Sequence, residues 1–154
     1  MVRIQVDIDH FAVARFLEIV PETVNAEAAK AMEISTFIVE AEVKALTPRK
    51  TGRLFSSWGS NVRLAPGLTG IVSTNVSYAP YVEEGTGPHD IWAKPGSALF
   101  WPGALHPVKR VYNPGFVGRH MARLAAAIAR PAIFGEFRRA IKHAVDAALA
   151  LGKL

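Results

Sequence analysis

The sequence predicts an α+β domain in which a long N-terminal amphipathic helix packs on a small antiparallel β-sheet, with a further helix at the C-terminus. Three observations carry this prediction. Residues 2–8 alternate apolar and polar side chains, which is typical of a strand with one wet face. Residues 22–46 place apolar side chains on one helical face. Glycine and proline divide the middle of the chain into short β-like segments.

The long helix is predicted over residues 22–46. Charged side chains share the face opposite the apolar one, with Glu40 and Lys44 in the favourable i,i+4 order. Pro48 ends the helix, because a residue before proline avoids helical conformations. A shorter helix is predicted over residues 10–20. The predicted buried face of the long helix consists of Ala28, Ala31, Met32, Ser35, Ile38, Val39, Ala45 and Leu46.

Short strands are predicted in the middle of the chain. Residues 55–64 and 68–74 are expected to pair across the turn Ala65-Pro66-Gly67, and residues 78–83 form a third candidate strand. Residues 85–118 are rich in glycine and proline, and a long irregular segment of this kind is usually functional or shaped by a partner. Two further short strands are predicted there, at 98–101 and 108–112.

The C-terminal part is predicted to be helical in two pieces. A helix over residues 119–129 is followed by a second one over 131–150, in which Pro131 occupies the first turn. Residues 1–154 are therefore predicted to form a single domain. The apolar residues expected to pack in the last helix are Ile133, Phe134, Phe137, Ile141, Val145 and Leu149.

Composition excludes several classes of protein. The chain has 154 residues and no cysteine, so disulfide scaffolds, thiolate metal sites and cysteine nucleophiles are ruled out. No apolar run reaches the ~20 residues needed to cross a bilayer, and the first residues lack an apolar signal core. We therefore expect a soluble protein without a membrane partner or a targeting segment.

Charge is distributed unevenly along the chain. Residues 1–46 carry a net charge of −4 and residues 47–82 carry +4, whereas residues 83–90 carry −3 and residues 91–154 carry +8. Such opposed regions suit a protein that pairs with copies of itself or lines a path for a polyanion. Solvated faces of opposite sign are an equally ordinary explanation, and charge alone does not separate the two.

The segment Thr47-Pro48-Arg49-Lys50-Thr51-Gly52-Arg53 places three cations and a glycine just after the predicted helix end. A basic loop of this kind can contact phosphate or an acidic partner. It is not a nucleotide-binding phosphate loop, because the lysine here precedes the glycine rather than following it. A solvated connector is the alternative.

The carboxylates Glu83 and Glu84 and the neighbouring His89 and Asp90 are the best candidates for an enzyme site. A hydrolase using His89, Asp90 and Glu83 is one hypothesis. However, adjacent residues on a strand point to opposite faces, so Glu83 and Glu84 are not expected to converge. HExxH and GxSxG motifs are absent from the sequence. We therefore predict no catalytic residue, no metal site and no cofactor.

Aromatic residues cluster in the β-rich region. Base stacking on a sheet would need the alternation of basic and aromatic residues found in RNA-binding sheets, which does not occur here. Packing in the core or at a subunit interface is the better explanation. The aromatic residues concerned are Trp58, Tyr78, Tyr81, Trp92, Phe100 and Trp101.

Three blocks in this order resemble a known family. An amphipathic helix ends in Thr-Pro-Arg-Lys-Thr-Gly-Arg-Leu at 47–54, and Tyr-Ala-Pro-Tyr-Val-Glu-Glu-Gly-Thr follows at 78–86. A segment from Lys94 to Phe100 completes the series. This order is similar to the neck or tail-completion family of long-tailed bacteriophages, also called head–tail joining or minor tail proteins. The likeness covers residues 22–129.

The resemblance implies a non-enzymatic virion protein, synthesised in the bacterial host cytoplasm, that assembles into a ring of six copies at the head–tail junction. Its implied partners are the head connector, the major tail tube protein and, without sequence specificity, the packaged DNA. A small basic nucleic-acid-binding domain is the alternative. Tyr78 and Tyr81 are expected to pack the sheet and Glu83 to pair with a cation. The residues expected at an interface or the channel are Arg49, Lys50, Thr51, Gly52, Arg53, Tyr78, Tyr81, Glu83, Gly85 and Thr86.

Overall fold

The computed structural model describes residues 2–7, 21–64 and 67–150. They form two compact units. The first, here called the helical unit, contains the described residues up to Ala79 and from Met121 onward. The second, here called the loop unit, comprises Pro80–His120. The helix predicted over residues 10–20 and the residues Ala65 and Pro66 of the predicted turn lie outside the described residues.

The elements confirm the predicted α+β class, with a long N-terminal helix, small antiparallel sheets and a C-terminal helix. The helices are α1 (Pro21–Leu46), α2 (Arg53–Ser56), α3 (Ala79–Glu84) and α4 (Met121–Ala150). The strands are β1 (Val2–Asp7), β2 (Gly59–Arg63), β3 (Thr69–Thr74), β4 (Gly85–Thr86), β5 (His89–Trp92), β6 (Arg110–Asn113) and β7 (Phe116–Val117).

The sheet of the helical unit has the antiparallel order β1-β3-β2. In its register, Ile4 faces Val72 across β1 and β3, and Asn61 faces Ile71 across β2 and β3. Every second residue of β3 is buried, as the period-two rule requires of a strand with one covered face. The hairpin predicted between residues 55–64 and 68–74 therefore forms, with strands shorter than predicted.

Helix α1 is the centre of the helical unit, since it packs against α4 and also against β2 and β3. Met32 and Val39 are fully buried, as the apolar periodicity predicts, and Thr36 and Val43 join them. Ala45 was expected in this face and is instead exposed. Gly70 lets α1 approach β3 closely, because a Cβ at this position would lie 2.8 Å from the Met32 sulfur.

The prediction of a strand beginning at residue 55 is wrong. Residues 53–56 form the short helix α2, which starts after Gly52 in the left-handed conformation (φ 74°). The Ser56 amide donates a hydrogen bond to the Gly52 carbonyl over 2.9 Å. Strand β2 begins only at Gly59, because this helical turn occupies the backbone that the strand would need.

The predicted helix break at Pro131 is also wrong, since α4 continues through this residue. A proline inside a helix costs about 3 kcal/mol. Burial offsets this cost, because one face of α4 stays covered on both sides of Pro131. Phe134 and Ile141, which were expected in the packed face, are exposed instead. The buried face consists of Met121, Ala122, Ala125, Ala129, Ile133, Ala140 and Ala144.

No helix within the described ranges is both long enough and apolar enough to span a membrane.

Candidate functional site

The basic loop after α1 is anchored at both ends by buried contacts. The Thr47 hydroxyl donates to the Val43 carbonyl over 2.6 Å and accepts the Trp58 indole N–H over 3.0 Å. Both side chains are buried, which confirms core packing for Trp58. The loop therefore leaves the core at a fixed point.

The cations of this loop lie on its outer side. Arg49, Lys50 and Arg53 are exposed, and so is Thr51. The Arg49 guanidinium lies 4.1 Å from the centre of the Phe55 ring, a cation–π contact that holds it near the surface of α2. The structure thus brings the predicted loop residues together as an exposed basic surface, and their role at an interface or channel stays a prediction.

The segment Tyr78–Glu83 was predicted as a strand, and the structure shows helix α3 over Ala79–Glu84. Pro80 is compatible with this helix because it lies in the first turn, where a missing N–H costs no hydrogen bond. Tyr78 and Tyr81 are 37% and 59% exposed. The expectation that they pack in the sheet is therefore wrong.

Three glycines explain how the chain turns after α3. Gly85 ends the helix with φ 83°, and β4 then pairs with β7 through Gly85↔Val117 and Thr86↔Phe116. A Cβ at Gly85 would overlap the Phe116 carbonyl oxygen and one at Gly118 the Glu83 carbonyl oxygen, while one at Gly115 (φ 77°) would overlap the Thr86 carbonyl oxygen. Here backbone lies directly against backbone, and only glycine fits.

Glu83, Glu84 and His120 form the one group of possible metal ligands found in the part of the chain that the structure describes. One ligand atom from each lies within 4.8 Å of the others. The sequence-based expectation that Glu83 and Glu84 diverge is wrong, because it assumed a strand where a helix forms. Glu83 is buried, and the His120 amide donates to its carbonyl over 3.0 Å. Carboxylates with an imidazole are ligand types that suit several divalent cations.

The structure does not assemble the hydrolase trio. Among the described side chains Glu83 groups with Glu84 and His120 rather than with His89 and Asp90. The exposed His89 ring makes a 2.9 Å hydrogen bond to the Gly87 carbonyl. The Asp90 carboxylate accepts a hydrogen bond from Arg110 over 2.7 Å, and this contact raises the pKa of the guanidinium. Asp90 is thus engaged in an ion pair across β5 and β6.

The loop unit exposes a large apolar surface. Strands β5 and β6 pair in the register Trp92↔Arg110, and a bridge between Leu99 and Val108 extends the hairpin. Residues 89–113 are here called the arm. Throughout residues 80–120, all of which are described, only Glu83 is buried. The exposed large apolar residues of the unit are Tyr81, Ile91, Trp92, Phe100, Trp101, Leu105, Tyr112, Phe116 and Val117.

The helical unit contains a cleft of about 380 Å³ between α1 and the outer edge of β2. Ala29, Thr36 and Phe37 line it from α1, and Val62 and Leu64 line it from β2 and the residue after it. Phe37 is 57% exposed and Leu64 is 65% exposed. The cleft, here called the α1 groove, therefore presents these two apolar side chains to its surroundings beside charged and polar ones, which are Lys30, Glu33, Ser60 and Asn61.

Several of these features could not be found from the sequence. Glu84 and His120 lie 36 positions apart, and the β4–β7 pairing and the hydrogen bond from the His120 amide to the Glu83 carbonyl bring them together. The pair Pro114-Gly115 and the single residue Gly118 were visible in the sequence as turn residues, but not as positions of close backbone contact. The paired strands β5 and β6 were missed in part, because His89–Trp92 carries charge and lacks a clear alternation.

Comparison with known proteins gives one match. Residues 11–85 match the family model HK97-gp10_like, described as "Bacteriophage HK97-gp10, putative tail-component". This match confirms the family resemblance indicated by the motifs, and it includes both the basic loop and α3. The matched residues cover slightly less than half of the chain, and the description of the family is that of a phage tail component. No curated protein and no solved structure matches the chain.

Proposed function

We propose that this chain forms a ring at the head–tail junction of the virion. Residues 11–85 match a family of phage tail components. In this role the chain joins the head connector to the tail tube around the DNA channel, as a neck, tail-completion or tail-terminator protein. Six copies per ring are the expected number. The family match is the observation that carries the proposal.

The exposed apolar surface of the loop unit supports an assembly role. Large apolar side chains that remain exposed in numbers on a folded unit are typical of protein association sites. Aromatic residues such as Trp92, Phe100 and Trp101 are the types enriched at the centres of interfaces. Leaving these side chains in water forgoes the favourable free energy of burial, which a contact with another protein chain would recover.

The exposed basic loop supports contact with DNA. Arg49, Lys50 and Arg53 form one cationic surface, and α4 adds a second with Arg138, Arg139 and Lys142 exposed. Lysine and arginine side chains at a channel wall hold a duplex through its phosphates without reading its sequence. The proposal assigns these residues to non-specific contact with packaged DNA and assigns no catalytic residue or cofactor to the chain.

Disruption of the gene in its own phage tests the proposal. We expect filled heads and separate tails, with virions restored when the protein is supplied from a plasmid. Electron microscopy of lysates provides the measurement, and restoration controls for effects on neighbouring genes. Intact virions of normal infectivity formed without the protein would contradict the proposal.

A small basic nucleic-acid-binding domain is the second candidate, and the two exposed basic surfaces favour it. This function predicts that the isolated monomer binds duplex DNA with an affinity that falls steeply with salt. We expect weaker binding when Arg49, Lys50 and Arg53 are all replaced by glutamine. The slope of the logarithm of the binding constant against the logarithm of salt concentration should also become less steep, by the equivalent of up to about three phosphate contacts. The same replacement of Arg138, Arg139 and Lys142 by glutamine measures the contribution of the α4 surface, and a comparable loss of binding is expected there. Absence of binding at low salt would remove this candidate.

A further inference from the structure

The arm of the loop unit does not bury its own large apolar side chains. Its tip residue Leu105 is 99% exposed, and Trp92, Phe100 and Tyr112 are also exposed. Ordering these large side chains in water has a cost that burial normally repays. The hairpin is nevertheless well defined by the pairs Asp90↔Tyr112 and Ile91↔Val111. The arm thus has a fixed base and an uncovered apolar tip.

The α1 groove has the complementary properties. It is apolar at Phe37 and Leu64, and β2 pairs within the described sheet on its β3 side alone. An unpaired strand edge beside an apolar cleft accepts an extended segment of another chain. Both surfaces are exposed in a single copy, so one contact between copies would cover both.

Charge favours the same pairing. The charged residues that line the groove itself, Lys30 and Glu33, cancel, but helix α1 as a whole carries five glutamates and two lysines, a net charge of −3. The arm carries Lys94, Lys109 and Arg110 against Asp90, a net charge of +2 with neutral histidines. Surfaces of opposite sign steer association and disfavour contact between like surfaces, such as groove with groove.

We infer that the arm of one copy inserts its apolar tip into the α1 groove of a second copy of this chain. The contact joins two different surfaces and is therefore head-to-tail, which generates a closed ring when the rotation per copy closes. The inference rests on the proposed ring and identifies the surfaces that join its subunits.

The absence of cysteine from the chain allows a direct test. Leu105→Cys and Phe37→Cys are made in separate proteins, one of them with an affinity tag, and a short bis-maleimide is added to the mixture. Because each protein has one thiol, a linked pair of tagged and untagged chains reports a contact between copies. We expect this pair to form readily. Lys142→Cys on the exposed face of α4 replaces Phe37→Cys as the matched control, and it should not link to Leu105→Cys.

A second variant measures the energetic role of the tip. Leu105→Asp should weaken self-association about tenfold or more in sedimentation experiments, as expected for a central anchor. Its thermal unfolding should be unchanged, because the side chain is fully exposed in one copy. Two results together would overturn the docking inference but leave the proposed ring intact. Oligomers would form although Leu105→Cys and Phe37→Cys do not cross-link, and Leu105→Asp would not weaken those oligomers. A chain that stays monomeric at all accessible concentrations overturns the docking inference and also counts against the ring.

Discussion

The helical unit and the loop unit differ in the contacts that hold them together. The helical unit buries Met32, Val39, Val43 and Val72 between α1, α4 and the sheet. The loop unit buries a carboxylate residue and no large apolar side chain, and it is held by short strand pairs and glycine contacts. The first unit thus buries its large apolar side chains, whereas the second leaves its own exposed. Four predictions test or sharpen this difference.

The largest effect is expected in the core of the helical unit. Met32→Ala should lower the free energy of unfolding by about 2–5 kcal/mol, because it removes a fully buried side chain and leaves a cavity. Leu105→Ala in the arm serves as the matched control and should change the stability of the monomer by less than about 0.5 kcal/mol. Chemical denaturation measures both. Similar losses in the two variants would show that the arm packs as a core within one copy.

The second effect concerns the base of the arm. Gly115→Ala should disrupt the β4–β7 pairing, because its Cβ would overlap the Thr86 carbonyl and the φ of 77° is unfavourable by about 1–2 kcal/mol. Gly96→Ala has a similar φ of 79° and open space around its Cβ, so it carries the conformational cost alone. Amide hydrogen exchange at Thr86 and Phe116 should accelerate more in Gly115→Ala than in Gly96→Ala. Equal exchange in the two would contradict the close backbone contact.

The third effect concerns the anchor of the basic loop. Thr47→Val leaves the buried Trp58 indole without its acceptor and should cost about 1–3 kcal/mol. Thr47→Ser keeps the hydroxyl and should cost less. Thermal unfolding followed by tryptophan fluorescence gives the comparison. A valine variant as stable as the unchanged protein would contradict the role assigned to the Thr47 hydroxyl.

The smallest effect is a dependence on acid. Burial raises the pKa of Glu40, but hydrogen bonds from Lys44 and Ser60 outweigh this and hold it below the ordinary value of 4.5. A lowered folded pKa gives stability that is complete above the unfolded pKa and is lost as pH falls through the folded one. Glu40→Gln should therefore cost about 0.5 kcal/mol near neutral pH and nothing in acid. Equal losses at both pH values, in denaturation experiments, would assign the effect to packing.

The elements with strong periodicity could be predicted from the sequence. Strand β1, helix α1 and the hairpin of β2 and β3 follow from alternation, from the helical repeat and from proline and glycine at the turns. These patterns are local, and burial of one face enforces them. The family resemblance also followed from motifs, because the loop at 47–54 and the segment at 78–86 keep their order and spacing.

The errors have a common physical cause. Tyr78–Glu83 has the residue types of a strand, yet it forms a helix that Gly85 can end. Proline usually interrupts a helix, yet α4 continues through Pro131 because the helix packs on α1. Tertiary contacts decided both cases, and no short window of sequence contains them. The grouping of Glu84 with His120 was hidden for the same reason, since it depends on β4 pairing with β7.

The glycines at 85, 115 and 118 let main chain lie directly against main chain at the base of the arm. The side chains of Asn113 and His89 add hydrogen bonds to the Gly115 amide and the Gly87 carbonyl, whereas the tip residue Leu105 is fully exposed and can change without unfolding this base. We expect related phages to differ most between residues 89 and 113 and to keep the three glycines. Exchange of this segment between relatives should then transfer partner preference as a unit.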